Sequence, residues 1–203
     1  HAVAVPKPAP PHRTAAKPEG SARAAQRPAA PSPNRDAPTA AADGRRLTGL
    51  GRIEDKIRKN HNKTLGLMRD LKDVTSFGHV GDDAVTGISS YLRPKGVIAA
   101  IVPSTNPLAT PVNNIINALK TGNAIILAPS PKGVKPLTTM LADIHQALGR
   151  LGLTDILVRM VPAPPSRTKT ERLMKLADRV VVTGSQNNVR AGYASETPAI
   201  GVG

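Results

Sequence analysis

The sequence predicts an α/β fold in which a parallel sheet is covered by helices. Val97–Val102 is a continuous apolar run, which is typical of a strand buried on both faces. Val112, Ile115, Ile116 and Leu119 follow it at the spacing of one helical face. The same alternation then repeats with short links, and strands that alternate with helices in this way form parallel sheets with helices on both faces.

The remaining elements follow from the same two patterns. Further strands are predicted at residues 124–128, 156–161, Arg179–Thr183 and Ala199–Val202. Helices are predicted at residues 53–72, 137–151, 170–177 and 185–194. Residues 73–96 are rich in glycine and aspartate, so they are expected to form two short extended pieces around a turn.

Residues 1–46 differ in composition from the rest of the chain. They contain no Leu, Ile, Met or aromatic residue, whereas prolines and alanines are frequent. Such a segment cannot bury enough apolar area to offset its ordering entropy, so we expect a disordered, basic, Ala/Pro-rich tail or linker. The sequence begins with His1, and we expect it to be cut out of a longer product.

Charge and composition exclude several classes of protein. The net charge is +14, but no run of five basic residues occurs, and aromatic residues make up only 1% of the chain. A solvated basic surface is therefore favoured over nucleic-acid binding, although a basic non-catalytic module for nucleic acid or a partner remains the alternative. The absence of Cys excludes a disulfide scaffold and a cysteine nucleophile within this chain. The longest strongly apolar run is far too short to span a membrane.

Ligands of parallel sheets bind at the carboxyl ends of the strands, so three loops are candidates for a binding site. These loops are residues 103–107, 129–133 and 184–188. Neither of the common glycine-rich phosphate motifs is present, but all three loops contain a hydroxyl group, two contain a glycine and one contains a lysine. The Ser, Thr and Asn residues could equally be helix caps and turn formers. Residues 162–166 are expected to be a rigid connector, and no histidine pair has metal-ligand spacing.

Three motifs in register resemble the CoA-acylating branch of the aldehyde dehydrogenase superfamily. They are EDKIRKN at residues 54–60, GVIAAIVPSTNPLATPVNNIINALKTGNAIILAPSPKG at residues 96–133, and VTGSQNNVRAGYASETPAIGVG at residues 182–203. The resemblance covers roughly residues 50–203. Within the branch, the motifs are most similar to the acylating sulfoacetaldehyde dehydrogenases.

The resemblance implies a Rossmann-like domain and a known chemistry. In the family a cysteine thiolate attacks the aldehyde, an Asn side chain and a backbone amide hold the oxyanion, hydride passes to NAD or NADP, and coenzyme A takes the acyl group. Asn106 matches the oxyanion donor. The implied cofactor-binding residues are Pro103, Ser104, Thr105, Ser130 near the adenosine ribose, Lys132, and Gly184 and Ser185 at the pyrophosphate.

The sequence also departs from the family. The family's nucleophilic Cys lies beyond the residues that match the end of this chain, so residues 47–203 are expected to form a partial NAD(P)-binding domain that is inactive alone. The Lys and Glu that hold the ribose hydroxyls in hydrolytic relatives are replaced by residues 128–131, which leaves NAD and NADP both open. Lys132 could meet a 2′-phosphate or remain solvated. A short aldehyde such as sulfoacetaldehyde, a homo-oligomer and a cytoplasmic location are the other expectations.

Overall fold

The computed structural model describes residues 52–203, so the predicted tail lies outside the described residues. The helices are α1 (Ile53–Leu71), α2 (Ala109–Lys120), α3 (Val134–Arg150), α4 (Arg167–Leu176) and α5 (Gln186–Tyr193). The strands are β1 (Gly78–Asp83), β2 (Ile88–Leu92), β3 (Val97–Val102), β4 (Ala124–Pro129), β5 (Val158–Met160), β6 (Arg179–Thr183) and β7 (Ala199–Val202).

Five strands form one parallel sheet in the order β5-β4-β3-β6-β7. Ile101 of β3 is paired with Ala128 of β4 on one side and with Val182 of β6 on the other. The chain therefore moves outward from β3 through β4 to β5 and then returns to place β6 against the free side of β3. This reversal creates a topological switch point between β3 and β6, where ligands of such sheets bind.

Helices cover both faces of the sheet, which confirms the predicted fold class. On one face, Ala100 and Val102 of β3 pack in a core that includes Ile115 of α2 and Leu137 of α3. On the opposite face, the alternate β3 residues belong to a second core with Met174 of α4. Because successive side chains of a strand point to opposite faces, the unbroken apolar run of β3 supplies both cores.

Several element boundaries differ from the predicted ones by one to three residues, and two of the differences have a local cause. The predicted strand 156–161 is shortened because residues 155–157 form a 3₁₀ turn, in which the Thr154 hydroxyl accepts a hydrogen bond from Ile156 N (3.3 Å). Helix α4 begins before the predicted residue 170. The Ser166 hydroxyl accepts a bond from Lys169 N (3.2 Å) and caps the helix there.

The segment predicted as two extended pieces is an antiparallel hairpin of β1 and β2. Its turn is held by Asp83, whose carboxylate accepts bonds from Val85 N (2.9 Å) and the Thr86 hydroxyl (2.7 Å). These bonds hold the pKa of Asp83 below its usual value, and the bond from the Thr86 hydroxyl has the largest effect. The hairpin carries large exposed apolar side chains, among them Ile88 and Tyr91.

Candidate functional site

An open cleft of about 1160 Å³ lies at the carboxyl ends of β3, β4, β6 and β7. The loops that follow these strands line it, together with one side of α4 and one side of α5. The cleft includes the switch point between β3 and β6. Its place follows from the parallel sheet, in which all the loops that follow the strands lie at the same edge.

The cleft brings together seven of the eight residues singled out in the sequence. These are Pro103, Ser104, Thr105, Asn106, Ser130, Gly184 and Ser185. Lys132 is the exception. It lies in the 3₁₀ turn Pro131–Gly133 with an exposed side chain and is not part of the lining.

Asn106 is the candidate oxyanion donor, and it is half-buried in the loop between β3 and α2. Its Oδ1 accepts a short hydrogen bond from the Nζ of Lys59 on α1, 47 residues earlier in the chain. Lys59 is not part of the cleft lining. The ammonium group therefore contacts the amide at its oxygen, and the donating Nδ2 group takes no part in this contact.

Ser130 lies where β4 ends, and its hydroxyl group is buried. Among the described residues, Ser130 Oγ has no hydrogen-bond partner. A Cβ atom added to Gly133 would lie 3.4 Å from this oxygen, so the turn packs closely against it. A buried hydroxyl without a partner costs free energy, and a ligand in the cleft that hydrogen-bonds to it would recover that cost.

Gly184 and Ser185 connect β6 to α5. The Ser185 hydroxyl accepts a hydrogen bond from Asn188 N (3.4 Å) and caps α5, so the helix-cap alternative is realised at this position. A Cβ added to Gly184 would lie 3.6 Å from Pro103 Cβ, which shows how closely the loops after β6 and β3 approach each other. A side chain at Gly184 would narrow the switch point.

The expectation that residues 162–166 form only a connector is wrong. Pro165 and Ser166 line the cleft, and so do Arg167, Thr170 and Glu171 at the start of α4. Arg167 Nε donates to Glu171 Oε1 (2.7 Å), and this bond raises the pKa of the exposed guanidinium above its usual value. Ser166, a residue type that favours the N-cap, was the sequence signal for a helix beginning at this edge.

Residues 52–203 contain neither a metal-ligand cluster nor a helix that could span a membrane. No group of three His, Asp or Glu side chains in this range is arranged to hold a metal ion. None of the helices described there combines the length and the apolarity that crossing a bilayer requires.

The doubly wound sheet and its switch-point cleft define the class of α/β domains that bind ligands at strand ends. The model of the aldehyde dehydrogenase family matches residues 59–196, more than half of the chain. The chain belongs to the aldehyde dehydrogenase family. The resemblance carried by its three motifs is thereby confirmed.

Curated relatives lie in the acylating branch. The chain is 58% identical over 156 residues to a sulfoacetaldehyde dehydrogenase (acylating) of Cupriavidus necator, covering 77% of this chain and 32% of the relative. It is 37% identical over 156 residues to a succinate-semialdehyde dehydrogenase (acetylating) of Clostridium kluyveri, covering 77% and 34%. The chain thus spans about a third of the length of these relatives.

Solved structures give the same family. An acetylating aldehyde dehydrogenase of Geobacillus thermoglucosidasius superposes with a TM-score of 0.77 at 32% identity, covering 81% of this chain and 36% of that one. A propionaldehyde dehydrogenase of Rhodopseudomonas palustris, solved with bound CoA and an acylated cysteine, gives a TM-score of 0.67 at 30% identity, covering 81% and 37%.

Proposed function

We propose that residues 47–203 are the cofactor-binding part of an NAD(P)-dependent, CoA-acylating aldehyde dehydrogenase. The observation that carries the proposal is the cleft at the switch point, where Asn106, Ser130 and Gly184 come together in a chain of this family. The names of the curated relatives support the acylating reaction. Neighbouring structures with bound CoA and with bound NADP⁺ support the two cofactors.

The nicotinamide end of the cleft is assigned to the loop after β3. There the Nδ2 group of Asn106 donates to the aldehyde oxygen and stabilises the oxyanion that forms when a cysteine thiolate adds to the carbonyl carbon. One donor of this kind contributes about 3 kcal/mol to transition-state binding. Bound NAD(P) supplies the hydride acceptor. Thr105 and Ser104 line the cleft next to this position.

The adenosine end is assigned to the loop after β4, where Ser130 would hydrogen-bond to the ribose. Gly184 would allow the pyrophosphate to approach the backbone between β6 and α5. Lys132 is solvated next to the cleft, so it contributes charge rather than a direct contact. NAD and NADP both fit a site whose ribose partner is a serine hydroxyl.

Replacing Ser130 by Ala tests the assignment of the adenosine end. We expect Ser130→Ala to weaken ADP binding about 2- to 10-fold, because one hydrogen bond contributes about 0.5–1.5 kcal/mol. Stability should hardly fall, because the hydroxyl has no partner to lose among the described residues. Isothermal titration calorimetry measures the affinity. Ser90→Ala on the exposed strand β2 is the control, and equal effects of the two changes would contradict the assignment.

The chain by itself should bind cofactor without turning over aldehyde. It contains no Cys, so the thiolate that forms the acyl intermediate would come from residues outside these 203. An assay with aldehyde, CoA and NAD(P) should therefore give no NAD(P)H above buffer. Titration with NAD and with ADP should give similar affinities, because the contacts proposed for Ser130 and Gly184 are to the ribose and the pyrophosphate, which both ligands carry. NAD binding more than about tenfold tighter than ADP would contradict this partial-cleft proposal.

The name of a relative supports a proposal for the substrate, and exposed apolar side chains support one for the assembly. Sulfoacetaldehyde or another short aldehyde is favoured by the name of the Cupriavidus necator relative. Self-association is favoured by the exposed apolar side chains of the β1–β2 hairpin. A cytoplasmic location stays a prediction.

A further inference from the structure

We infer that Lys59 is a positioning residue for the oxyanion donor Asn106. The inference rests on the proposed function, because that function gives Asn106 its role. It goes further by assigning a task to α1, which lies outside the cleft. The observation is the short hydrogen bond from Lys59 Nζ to Asn106 Oδ1.

The direction of this bond determines which end of the amide faces the reaction. A lysine ammonium group can only donate hydrogen bonds, whereas an Asn side chain has an accepting oxygen and a donating nitrogen. Contact with Lys59 therefore holds Oδ1 toward α1 and frees Nδ2 for the cleft. Without the contact, a rotation of the amide would present its oxygen to an oxyanion, and the two oxygens would repel each other.

The charge of Lys59 has a second effect. A cation at Oδ1 withdraws electron density from the carbonyl group, and the N–H groups of the same amide become better donors. Hydrogen bonds that involve a charged group are stronger than neutral ones. Lys59 is half-buried, so its charge is screened less than that of an exposed lysine. Its effect on the oxyanion passes through Asn106, since Lys59 is not in the cleft lining.

The packing of two helices explains why Lys59 lies next to Asn106 although the two residues are far apart in sequence. Helix α1 lies against α2, which begins just after the Asn106 loop. Glu54 and Asp55 in the first turn of α1 and Arg69 in its last turn complement the helix dipole and favour the helix. Lys59 is therefore positioned by a helix that packs against α2.

The experiment measures the side-chain amide of Asn106 by ¹⁵N–¹H NMR in the complete 203-residue chain. We expect the Nδ2 protons to be shifted downfield and to exchange positions slowly, because a cation at the oxygen strengthens the C–N double bond. Lys59→Met should move both signals upfield and speed the exchange several-fold, whereas Lys59→Arg should restore most of the original values. Lys63→Met, one turn further along α1 at an exposed position, is the matched control.

Backbone signals of β3 verify that each variant is folded. Unchanged Asn106 signals in Lys59→Met, or an equal response to Lys63→Met, would overturn the inference. Titration of the same samples with ADP and NAD separates it from the proposed function. If neither ligand bound while Lys59 still controlled the amide, the cofactor function would be wrong and the contact would stand. If both ligands bound and the Asn106 amide signals did not respond to Lys59→Met, only the inference would be wrong.

Discussion

At the scale of single residues, side chains that precede β4 and β6 accept backbone hydrogen bonds from the amino end of β3. Asn123 is buried, and its Oδ1 accepts from Lys95 N (2.6 Å) and Gly96 N (2.9 Å). Asp178 accepts from Val97 N (2.7 Å) with its Oδ2. Together these two residues fix the path by which the chain enters β3, and the cleft at the other end of β3 depends on that path.

Gly96 is the residue most sensitive to this arrangement. Its φ is +121°, and an added Cβ would collide with the Asp178 carboxylate. We expect Gly96→Ala to lower the free energy of unfolding by at least about 2 kcal/mol, because strained backbone costs about 1–3 kcal/mol before any clash is counted. Urea unfolding measures the change. Gly149→Ala in α3, where an added Cβ meets nothing within 4 Å, should instead stabilise by about 0.5–1 kcal/mol. A loss as large at Gly149 would refute the argument.

At the scale of elements, close packing of α5 on β6 sets one wall of the cleft. Gly192 of α5 is buried, and a Cβ placed there would lie 2.5 Å from Val182 Cγ2. The absence of a side chain lets the helix approach the strand. The same helix is capped by Ser185. The distance between α5 and β6 therefore determines the position of the loop after β6 relative to the loop after β3.

A double-mutant cycle tests this packing. Gly192→Ala should cost about 1–3 kcal/mol through overpacking, and Val182→Ala should cost stability by leaving a cavity. The double variant should lose less than the sum of the two, because the new methyl group fills part of the cavity. Chemical denaturation of the four chains gives the coupling free energy. Additive losses would show that the two positions do not contact each other.

The stability of the β1–β2 hairpin should depend on pH through its two aspartates, Asp82 and Asp83. The Ser89 hydroxyl (2.5 Å) and then His79 lower the pKa of Asp82, and the Thr86 hydroxyl leads in lowering that of Asp83. A depressed folded-state pKa contributes stability above the ordinary value of 3.8, and that contribution is lost as pH falls through the folded-state pKa.

Carboxyl ¹³C NMR between about pH 2 and pH 6 reads both titrations directly. Ser89→Ala should move the titration midpoint of Asp82 upward and leave that of Asp83 in place. Thr86→Val should do the reverse. Midpoints at or above 3.8 in the unchanged hairpin would contradict the hydrogen bonding at the turn.

At the scale of the whole molecule, the net charge of +14 governs the encounter with anions. The charge favours phosphorylated ligands such as the proposed cofactors. It also attracts polyanions without selectivity, and with only 1% aromatic residues the chain offers little surface on which bases could stack.

Titration with single-stranded DNA at two salt concentrations tests the alternative of a nucleic-acid module. We expect weak binding that is the same for different sequences and falls steeply between about 50 and 200 mM salt, because it reflects counterion release alone. Filter binding measures it. Selectivity for one sequence, or affinity that survives the higher salt, would favour the alternative over a cofactor domain.

Local patterns in the sequence were enough to predict the order and type of the elements and most of the cleft. Continuous apolar runs such as Val97–Val102 and one-sided helical stripes depend on local periodicity, and the loops that follow parallel strands must share one edge. Asn106, Ser130 and Ser185 could therefore be placed together before any coordinates. The start of α5 at a serine cap was visible for the same local reason.

The contacts that join distant parts of the chain could not be predicted in this way. Three features depend on how the helices pack. They are the position of β6 beside β3, the hydrogen bond from Lys59 to Asn106, and the part of the cleft wall formed by Pro165 and Arg167. The outward direction of Lys132 likewise follows from a 3₁₀ turn. Periodicity reports which face of an element is buried, but it carries no information on which other element covers that face.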